Sequence, residues 1–175
     1  MSITRPAQLA QVNLARLRFQ ADSPRLVDFL AGVERINRLA ERSPGFVWRL
    51  RTAEGHLNGA ELIGDPLAVI NLSVWESYPA LHSYIYRSQH GHYLRRRAEW
   101  FDRLTAPTIA LWWVAPGHHP TAAEAIARLS YLRANGPTPR SFTVRCRFTP
   151  TGQRDTISLP LHEARTLRHP NAAMG

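Results

Sequence analysis

The chain has 175 residues, 44% of them hydrophobic, so it is long and apolar enough to fold as one domain of ordinary size. Its net charge is +9 at pH 7, and all 22 basic residues are arginines. Without lysine there is no side-chain amine for Schiff-base chemistry, covalent pyridoxal phosphate or a phosphate-binding loop. Cys146 is the single cysteine, which excludes an intramolecular disulfide, a thiolate zinc site and an iron–sulfur cluster within one chain.

The positive charge does not indicate a nucleic-acid partner, because the arginines are spread along the whole chain. The one run is Arg95-Arg96-Arg97, and three consecutive helical residues point in three directions. The longest apolar runs, such as residues 109–115, are far shorter than the roughly 20 residues that cross a membrane. Residues 1–11 lack the apolar core of a signal peptide. We therefore expect a soluble, cytoplasmic protein with no nucleic-acid or membrane partner.

The hydrophobic pattern predicts four strands with helices between them. Alternation of apolar and polar residues predicts strands over residues 8–19, 46–52, 67–75 and 108–114. Helical spacing predicts helices over residues 23–42, 78–86 and 90–104. Residues 53–65 are polar and contain three glycines, which is typical of a loop. The order of strand, helix, strand, strand, helix, helix, strand predicts an α+β, ferredoxin-like antiparallel sheet with a broken second crossover helix.

The C-terminal part adds a further helix and strand. Thr121, with Glu124 three residues on, is a capping pattern that predicts a helix over residues 121–135. Clean alternation over residues 141–148 predicts a fifth strand, and apolar content falls beyond it. We place the domain at residues 8–148 and a partly mobile C-terminal extension at residues 149–175.

Several segments, in the same order along the chain, carry a family resemblance. The strand-to-helix segment Asn71-Leu72-Ser73-Val74-Trp75-Glu76-Ser77 is similar to the antibiotic biosynthesis monooxygenase group of dimeric α/β-barrel proteins. Three more segments narrow the resemblance: Ser43-Pro44-Gly45-Phe46-Val47-Trp48-Arg49, Tyr86-Arg87-Ser88-Gln89-His90, and Leu111-Trp112-Trp113-Val114 with Gly117-His118. Together they resemble a bacterial family known as domain of unknown function 3291, over about residues 10–148.

The resemblance implies a four-stranded sheet with helices on one face, and two subunits that associate through their sheets into a barrel. A pocket would lie between the sheet and the helices of each subunit. Alternation sends Trp112 and Trp113 to opposite faces, one towards the pocket and one towards the barrel. A homodimer is expected, because an exposed apolar sheet face needs cover. The wider superfamily includes monooxygenases, haem-degrading enzymes, cyclases and isomerases, so the reaction cannot be inferred from the fold alone.

The candidate catalytic residues are Asn13, Tyr86 and His90. The resemblance implies that Asn13, on the first strand, faces the pocket, where its amide could bind a carbonyl or position dioxygen; its other role is a bond to nearby backbone. His90 could accept a phenol proton or bind haem iron, or simply cap its helix. Tyr86, His90, Arg97 and Phe101 share a face if one helix continues through Gly91.

The candidate substrate-binding residues are Trp48, Arg97, Phe101 and Trp113. Trp48 shares an apolar strand face with Phe46 and could line a flat aromatic substrate, although ordinary packing is the simpler role. An arginine such as Arg97 could bind an anionic substrate.

The function predicted from these residues is a small-molecule oxygenase of the antibiotic biosynthesis monooxygenase type. His90 would deprotonate a planar phenolic or polyketide-like substrate, and the anion would react with dioxygen without metal or flavin. Asn13, Tyr86 and an arginine would orient it. One alternative is a haem protein with His90 or His92 on the iron. Another is a non-redox cyclase or isomerase, or a small-molecule binding module. No cofactor is favoured, and haem is the alternative cofactor.

Overall fold

A computed structural model describes residues 6–51, 57–58, 63–87 and 90–156, except for the side chains of residues 57–58, 87, 90–92 and 94. The helices are α1 (Val27–Glu41), which follows a 3₁₀ turn at Pro24–Leu26, α2 (Tyr78–Arg87), α3 (His90–Trp100) and α4 (Ala122–Asn135). The strands are β1 (Gln8–Arg16), β2 (Phe46–Arg49), β3 (Leu57–Asn58), β4 (Ala68–Trp75), β5 (Ile109–Val114), β6 (Arg147–Phe148) and β7 (Arg154–Asp155). Across this part of the chain, no helix combines the length and the apolar character that a membrane span requires.

The main sheet is antiparallel and has the strand order β2-β4-β1-β5, with β3 also paired to β4. The two longest strands, β1 and β4, are central and neighbour each other. This order, with α1 and the α2–α3 pair as the two crossovers, is that of a ferredoxin-like fold. The predicted α+β class and antiparallel sheet are therefore confirmed.

The start of each long helix follows the signals in the sequence. The Ser23 hydroxyl accepts the backbone N–H of Arg25 at 3.4 Å, and Pro24 begins the 3₁₀ turn that leads into α1. The Thr121 hydroxyl accepts the backbone N–H of Glu124 at 3.1 Å at the start of α4. Side-chain oxygens at these positions satisfy backbone donors that have no partner inside the helix.

Helix α4 covers one face of the sheet. The apolar side chains of this face come from all three long strands and pack against Ala125, Leu129 and Leu132 of α4. Trp112 belongs to this face and is 1% exposed, while Trp113 points to the opposite face, as alternation predicts. The apolar sheet face that the sequence predicts to be exposed is instead buried by α4 within one chain, so that expectation is wrong. The homodimer itself stays a prediction.

The alternation predicted for the second strand is wrong, because β2 contains a bulge. Phe46 pairs with Trp75, but Trp48 pairs with Val74, so two residues of β2 span one step of β4. The extra residue sends Phe46 and Trp48 to opposite faces of the sheet. Phe46 packs edge-on against Trp75 at 5.4 Å on the α1 side, whereas Trp48 packs on the α4 side.

The strand predicted over residues 141–148 is also wrong. Only Arg147–Phe148 is a strand, paired with Arg154–Asp155, and Phe142 makes an isolated bridge with Leu111 through two backbone hydrogen bonds of 2.8 Å. Between these pieces the Thr143 hydroxyl accepts the backbone N–H of Cys146 at 3.1 Å, which turns the chain. The predicted loop over residues 53–65 contains the short strand β3. The extension beyond residue 156 lies outside the described residues.

Candidate functional site

A cavity of about 250 Å³ lies between the sheet and helices α1–α3, on the face opposite α4. Its walls are mostly apolar. Three neighbouring aromatic rings line part of it. Phe29 comes from α1, Trp100 is the last residue of α3, and Phe101 follows it. Phe101 packs edge-on against Phe29 at 5.0 Å, and Phe29 lies 5.7 Å from Trp100. A concave, mostly apolar space with a few polar groups is the usual form of a small-molecule site.

Carboxamide side chains form the floor of the cavity. Gln11 and Asn13 come from β1 and Asn71 from β4, and Asn13 pairs directly with Asn71 in the antiparallel register. The Gln11 carbonyl oxygen accepts a hydrogen bond from the Ser73 hydroxyl at 3.1 Å. Within the described residues, the side chains of Asn13 and Asn71 form no hydrogen bond. Their donors and acceptors are therefore available to a ligand.

Arg97 gives the opening of the cavity a positive charge. Asn71 and Arg97 are the exposed members of the lining, which places the opening beside them. Arg97 forms no salt bridge with any carboxylate of the described residues. Its neighbour Arg96, in contrast, pairs with Glu99 at 2.8 Å and with Asp28 at 3.2 Å. The Arg97 guanidinium is thus available to an anionic ligand.

Asp102 is the acidic residue that the described lining contains, and it is anchored to Arg16. Nη1 of Arg16 donates to Oδ2 of Asp102 at 2.6 Å, and Nε of Arg16 donates to Oδ2 of Asp65 at 2.9 Å. These bonds to Asp102 and Asp65 raise the pKa of Arg16 above its ordinary value, so Arg16 stays charged.

Two tyrosines complete the wall on the helical side. Burial raises the pKa of the Tyr84 hydroxyl, so this group stays neutral at neutral pH and does not serve as a base. Tyr93 reaches the cavity because it packs against Gly32 of α1. A Cβ at position 32 would lie 2.3 Å from Cε1 of Tyr93, so this contact requires glycine.

Three of the predicted site residues come together in the cavity: Asn13, Arg97 and Phe101 all line it. Tyr86 is not part of the lining, and its ring lies 4.7 Å from that of His82. The side chain of His90 lies outside the described residues, although its backbone begins α3.

The two predicted tryptophans lie away from the cavity. Trp48 is on the α4 side because of the bulge in β2, where its ring stacks on His119 at 4.8 Å and 6°. Trp113 is on the same sheet face as the cavity, but its indole N–H donates to the Phe148 carbonyl at 2.7 Å and the C-terminal segment covers it. Neither ring lines the cavity.

Sequence reasoning missed Gln11, Asn71 and Asp102. Gln11 and Asn71 carried a signal, since each is a polar residue inside a central strand whose other residues are mostly apolar. Asp102 carried none, because its partner Arg16 is 86 residues away in the sequence.

The described residues show no metal or haem centre. They contain no group of three or more His, Cys, Asp or Glu side chains that could hold a metal ion. No histidine whose side chain is described lines the cavity. The predicted iron ligand, His90 or His92, lies among the side chains outside the description, so haem binding stays a prediction.

The fold and site define a ferredoxin-like domain with a carboxamide-floored, aromatic-walled cavity. The chain belongs to the family described as Domain of unknown function (DUF3291), whose model matches residues 8–158. No match was found among curated proteins.

Solved structures of low sequence identity are similar to parts of the chain. One is a conserved protein from Methanosarcina mazei Go1, at 14% identity and a TM-score of 0.45, covering 64% of this chain and 97% of the other. Another is a protein of unknown function from Nitrosomonas europaea, at 14% identity and a TM-score of 0.43, covering 67% of this chain and 99% of the other. A third is a monooxygenase from the gene ActVA-Orf6 of Streptomyces coelicolor, solved with nanaomycin D. Its identity is 20% and its TM-score 0.39, and the match covers 67% of this chain and 93% of the other. These values carry no conclusion about activity.

Proposed function

We propose that the protein is a cofactor-independent monooxygenase that acts on a small, planar phenolic or polyketide-like substrate. The observation that carries this proposal is the pair Asn13 and Asn71, whose unengaged carboxamides face an aromatic cavity with Arg97 at its opening.

The cavity matches the shape and charge of such a substrate. Flat rings pack well against Phe29, Trp100 and Phe101, because offset and edge-on arrangements of aromatic rings are favourable. The N–H groups of Asn13 and Asn71 can donate to a carbonyl or phenolate oxygen. A substrate in its anionic form also gains from the Arg97 charge.

The proposed reaction converts a ring methylene next to a phenol into a carbonyl. Loss of a proton gives a carbanion that is stabilised as a phenolate. This anion transfers an electron to dioxygen, and the resulting radicals combine to form a C–O bond and a peroxide anion. After protonation the peroxide loses water, so that R₂CH₂ and O₂ give R₂C=O and H₂O, with the substrate as the only reductant.

Carboxamide donors and a base have separate tasks in this reaction. Negative charge moves from the substrate onto the dioxygen unit as the C–O bond forms, and fixed N–H donors stabilise charge at the place where it develops. Asn13 and Asn71 supply such donors from the rigid centre of the sheet. His90, at the first position of α3, is the base proposed from the sequence.

Anthrone is a suitable probe, because its methylene lies between two rings and its enol is a phenol. We expect the purified protein, without added metal, flavin or haem, to convert anthrone to anthraquinone with one dioxygen consumed per product. Asn13→Leu should lower the rate by roughly 100-fold, as the loss of one such donor does elsewhere. Trp48→Phe, on the opposite face of the sheet, is the matched control and should keep the rate.

Two results would contradict the proposal. One is a rate no higher than that in buffer. The other is a reaction that starts only after flavin or haemin is added. A product isomeric with anthrone, formed without oxygen uptake, would indicate the non-redox cyclase or isomerase instead.

A further inference from the structure

We infer that Asp102 accepts a hydrogen bond from a substrate hydroxyl in the cavity, and that Arg16 is its positioning residue. The inference rests on the proposed function in one respect, namely that the ligand is a hydroxylated aromatic molecule.

Asp102 is held in place at both its backbone and its side chain. Its backbone N–H donates to the carbonyl oxygen of Arg16 at 2.8 Å, and its Oδ2 accepts from Nη1 of Arg16 at 2.6 Å. Arg16 is the last residue of the central strand β1, so the carboxylate is tied to the main sheet. Oδ1 of Asp102 takes part in no hydrogen bond within the described portion of the chain. This oxygen is therefore available to accept a hydrogen bond from a ligand.

The charges around Arg16 leave a negative charge at the cavity. One guanidinium serves two carboxylates, Asp65 and Asp102, so the three groups together carry a net charge of about −1 at neutral pH. Asp65 has both oxygens engaged, since Oδ2 accepts from Arg16 and Oδ1 accepts the backbone N–H of Leu67 at 2.9 Å. Asp65 is not part of the cavity lining, whereas Asp102 is. Of the two carboxylates, Asp102 is therefore the one that a ligand in the cavity meets.

The remaining polar groups of the cavity differ in character from Asp102. Asn13 and Asn71 offer neutral amides, and Arg97 offers only donors. An anionic group placed at Asp102 would be repelled, whereas a hydroxyl would donate to it in a charge-assisted hydrogen bond. Phe101 lies beside Asp102 in the chain and also lines the cavity, so the hydroxyl is expected on an aromatic ring. The ligand is thus a phenol whose hydroxyl faces Asp102 and whose carbonyl or anionic oxygen faces the amides and Arg97.

The test uses two probes, 2-naphthol and 2-methoxynaphthalene. In the second probe a methyl group replaces the hydroxyl hydrogen, so it cannot donate a hydrogen bond. Binding is followed by tryptophan fluorescence, because Trp100 lines the cavity. A hydrogen bond to a charged group corresponds to an affinity preference of roughly ten-fold or more, so the wild-type protein should prefer 2-naphthol by that factor. Asp102→Asn should lose the preference while its affinity for 2-methoxynaphthalene stays unchanged.

Asp65→Asn is the matched control. It removes the other carboxylate from Arg16 but changes nothing in the cavity lining, so it should keep the preference for 2-naphthol. Asp102→Glu retains a carboxylate and should keep part of the preference. If Asp102→Asn does not fold, Arg16→Gln tests the same idea, since a carboxylate that is no longer held in place should also lose the preference.

The outcomes separate this inference from the proposed function. Equal affinity of the wild-type protein for the two probes, or a preference that survives Asp102→Asn, would overturn the role of Asp102 and leave the cavity as an aromatic site. Equal loss of the 2-naphthol preference in Asp65→Asn and Asp102→Asn would show that Arg16 and the two carboxylates have only a structural role. That result would also overturn the role of Asp102. Binding of neither probe would overturn the inference together with the proposed function, and binding of 2-methoxynaphthalene alone would overturn the role of Asp102.

Discussion

Asn13 and Asn71 lie directly opposite each other on the two central strands of the sheet, and both line the cavity. Central strands of a small sheet are normally filled with apolar side chains on the face that helices cover. Neither carboxamide finds a hydrogen-bond partner within the residues that the structure describes. Asn13 is half-buried and Asn71 is exposed, so the pair stays open to solvent and to a ligand, at the cost of the apolar packing that this face would otherwise provide.

The first prediction concerns that cost. Asn13→Leu removes the carboxamide and keeps a similar volume. We expect the affinity for 2-naphthoate to fall by about ten-fold, because a hydrogen bond to its charged oxygen is lost. The free energy of unfolding in urea should stay equal or rise, since an unpaired polar group is removed.

Asn135→Leu is the control for this substitution, because Asn135 is exposed at the end of α4 and bonds the backbone of its own helix. It should leave the affinity unchanged. A large loss of stability in Asn13→Leu without loss of affinity would show that Asn13 is a structural residue.

A second prediction addresses Arg97 at the opening of the cavity. Arg97→Gln should weaken binding of the anion 2-naphthoate by up to about five-fold, the limit for an exposed charge pair, and should not affect neutral 2-methoxynaphthalene. Added salt should weaken naphthoate binding to the wild-type protein but not to the variant. Arg95→Gln changes an exposed arginine outside the lining and serves as the control. Equal effects of the two substitutions would argue for a general effect of net charge instead.

Gly32 and Tyr93 provide a prediction about the wall of the cavity. Gly32→Ala should destabilise the protein by about 1–3 kcal/mol, because the added Cβ lies 2.3 Å from the Tyr93 ring. In a Tyr93→Ala background the same change should become stabilising, by about 1 kcal/mol, since alanine is the better helix former. Urea denaturation of the four chains measures both effects. If Gly32→Ala changed the free energy of unfolding in the same direction in both backgrounds, the Tyr93 ring would not be the reason for glycine at position 32.

Much of the fold follows from local pattern. Alternation located β1, β4 and β5. The side chains of Ser23 and Thr121 marked the 3₁₀ turn that leads into α1 and the start of α4, because they satisfy backbone donors there. The bulge in β2 has no such signal, since one extra residue shifts the face without changing the composition. The alternation of residues 141–148 was misleading. Phe142 and Phe148 pack against each other, with ring centroids 6.0 Å apart, but a turn rather than a strand joins them.

The site was predictable only where one residue carried the signal by itself. Asn13 stood out as a polar residue on a strand, and Arg97 as a cation at helical spacing from Phe101. Asp102 follows the end of α3 and has meaning only through Arg16, which the fold brings to it from β1. Trp48 has the aromatic ring expected of a pocket residue, but the bulge in β2 places it on the sheet face opposite the cavity.

A further prediction tests the cover that α4 provides. Leu129 is 1% exposed and packs against the sheet, so Leu129→Arg should loosen α4 and uncover apolar side chains that include Trp112. We expect this variant to self-associate more than the wild-type chain, with a larger mass by light scattering. Ala127→Arg adds the same charge on the exposed side of α4 and should not change the mass. Equal masses for all three chains would contradict the role given to α4.

The fate of labelled dioxygen decides whether the cavity is a monooxygenase site. Anthrone is incubated with the protein under ¹⁸O₂, without added metal, flavin or haem, and the anthraquinone is examined by mass spectrometry. We expect one ¹⁸O atom in the new carbonyl group, with the other in water, and loss of this product in Asn13→Leu. Product formation with no label, or no formation above the rate in buffer, would contradict the assignment of the cavity as a monooxygenase site.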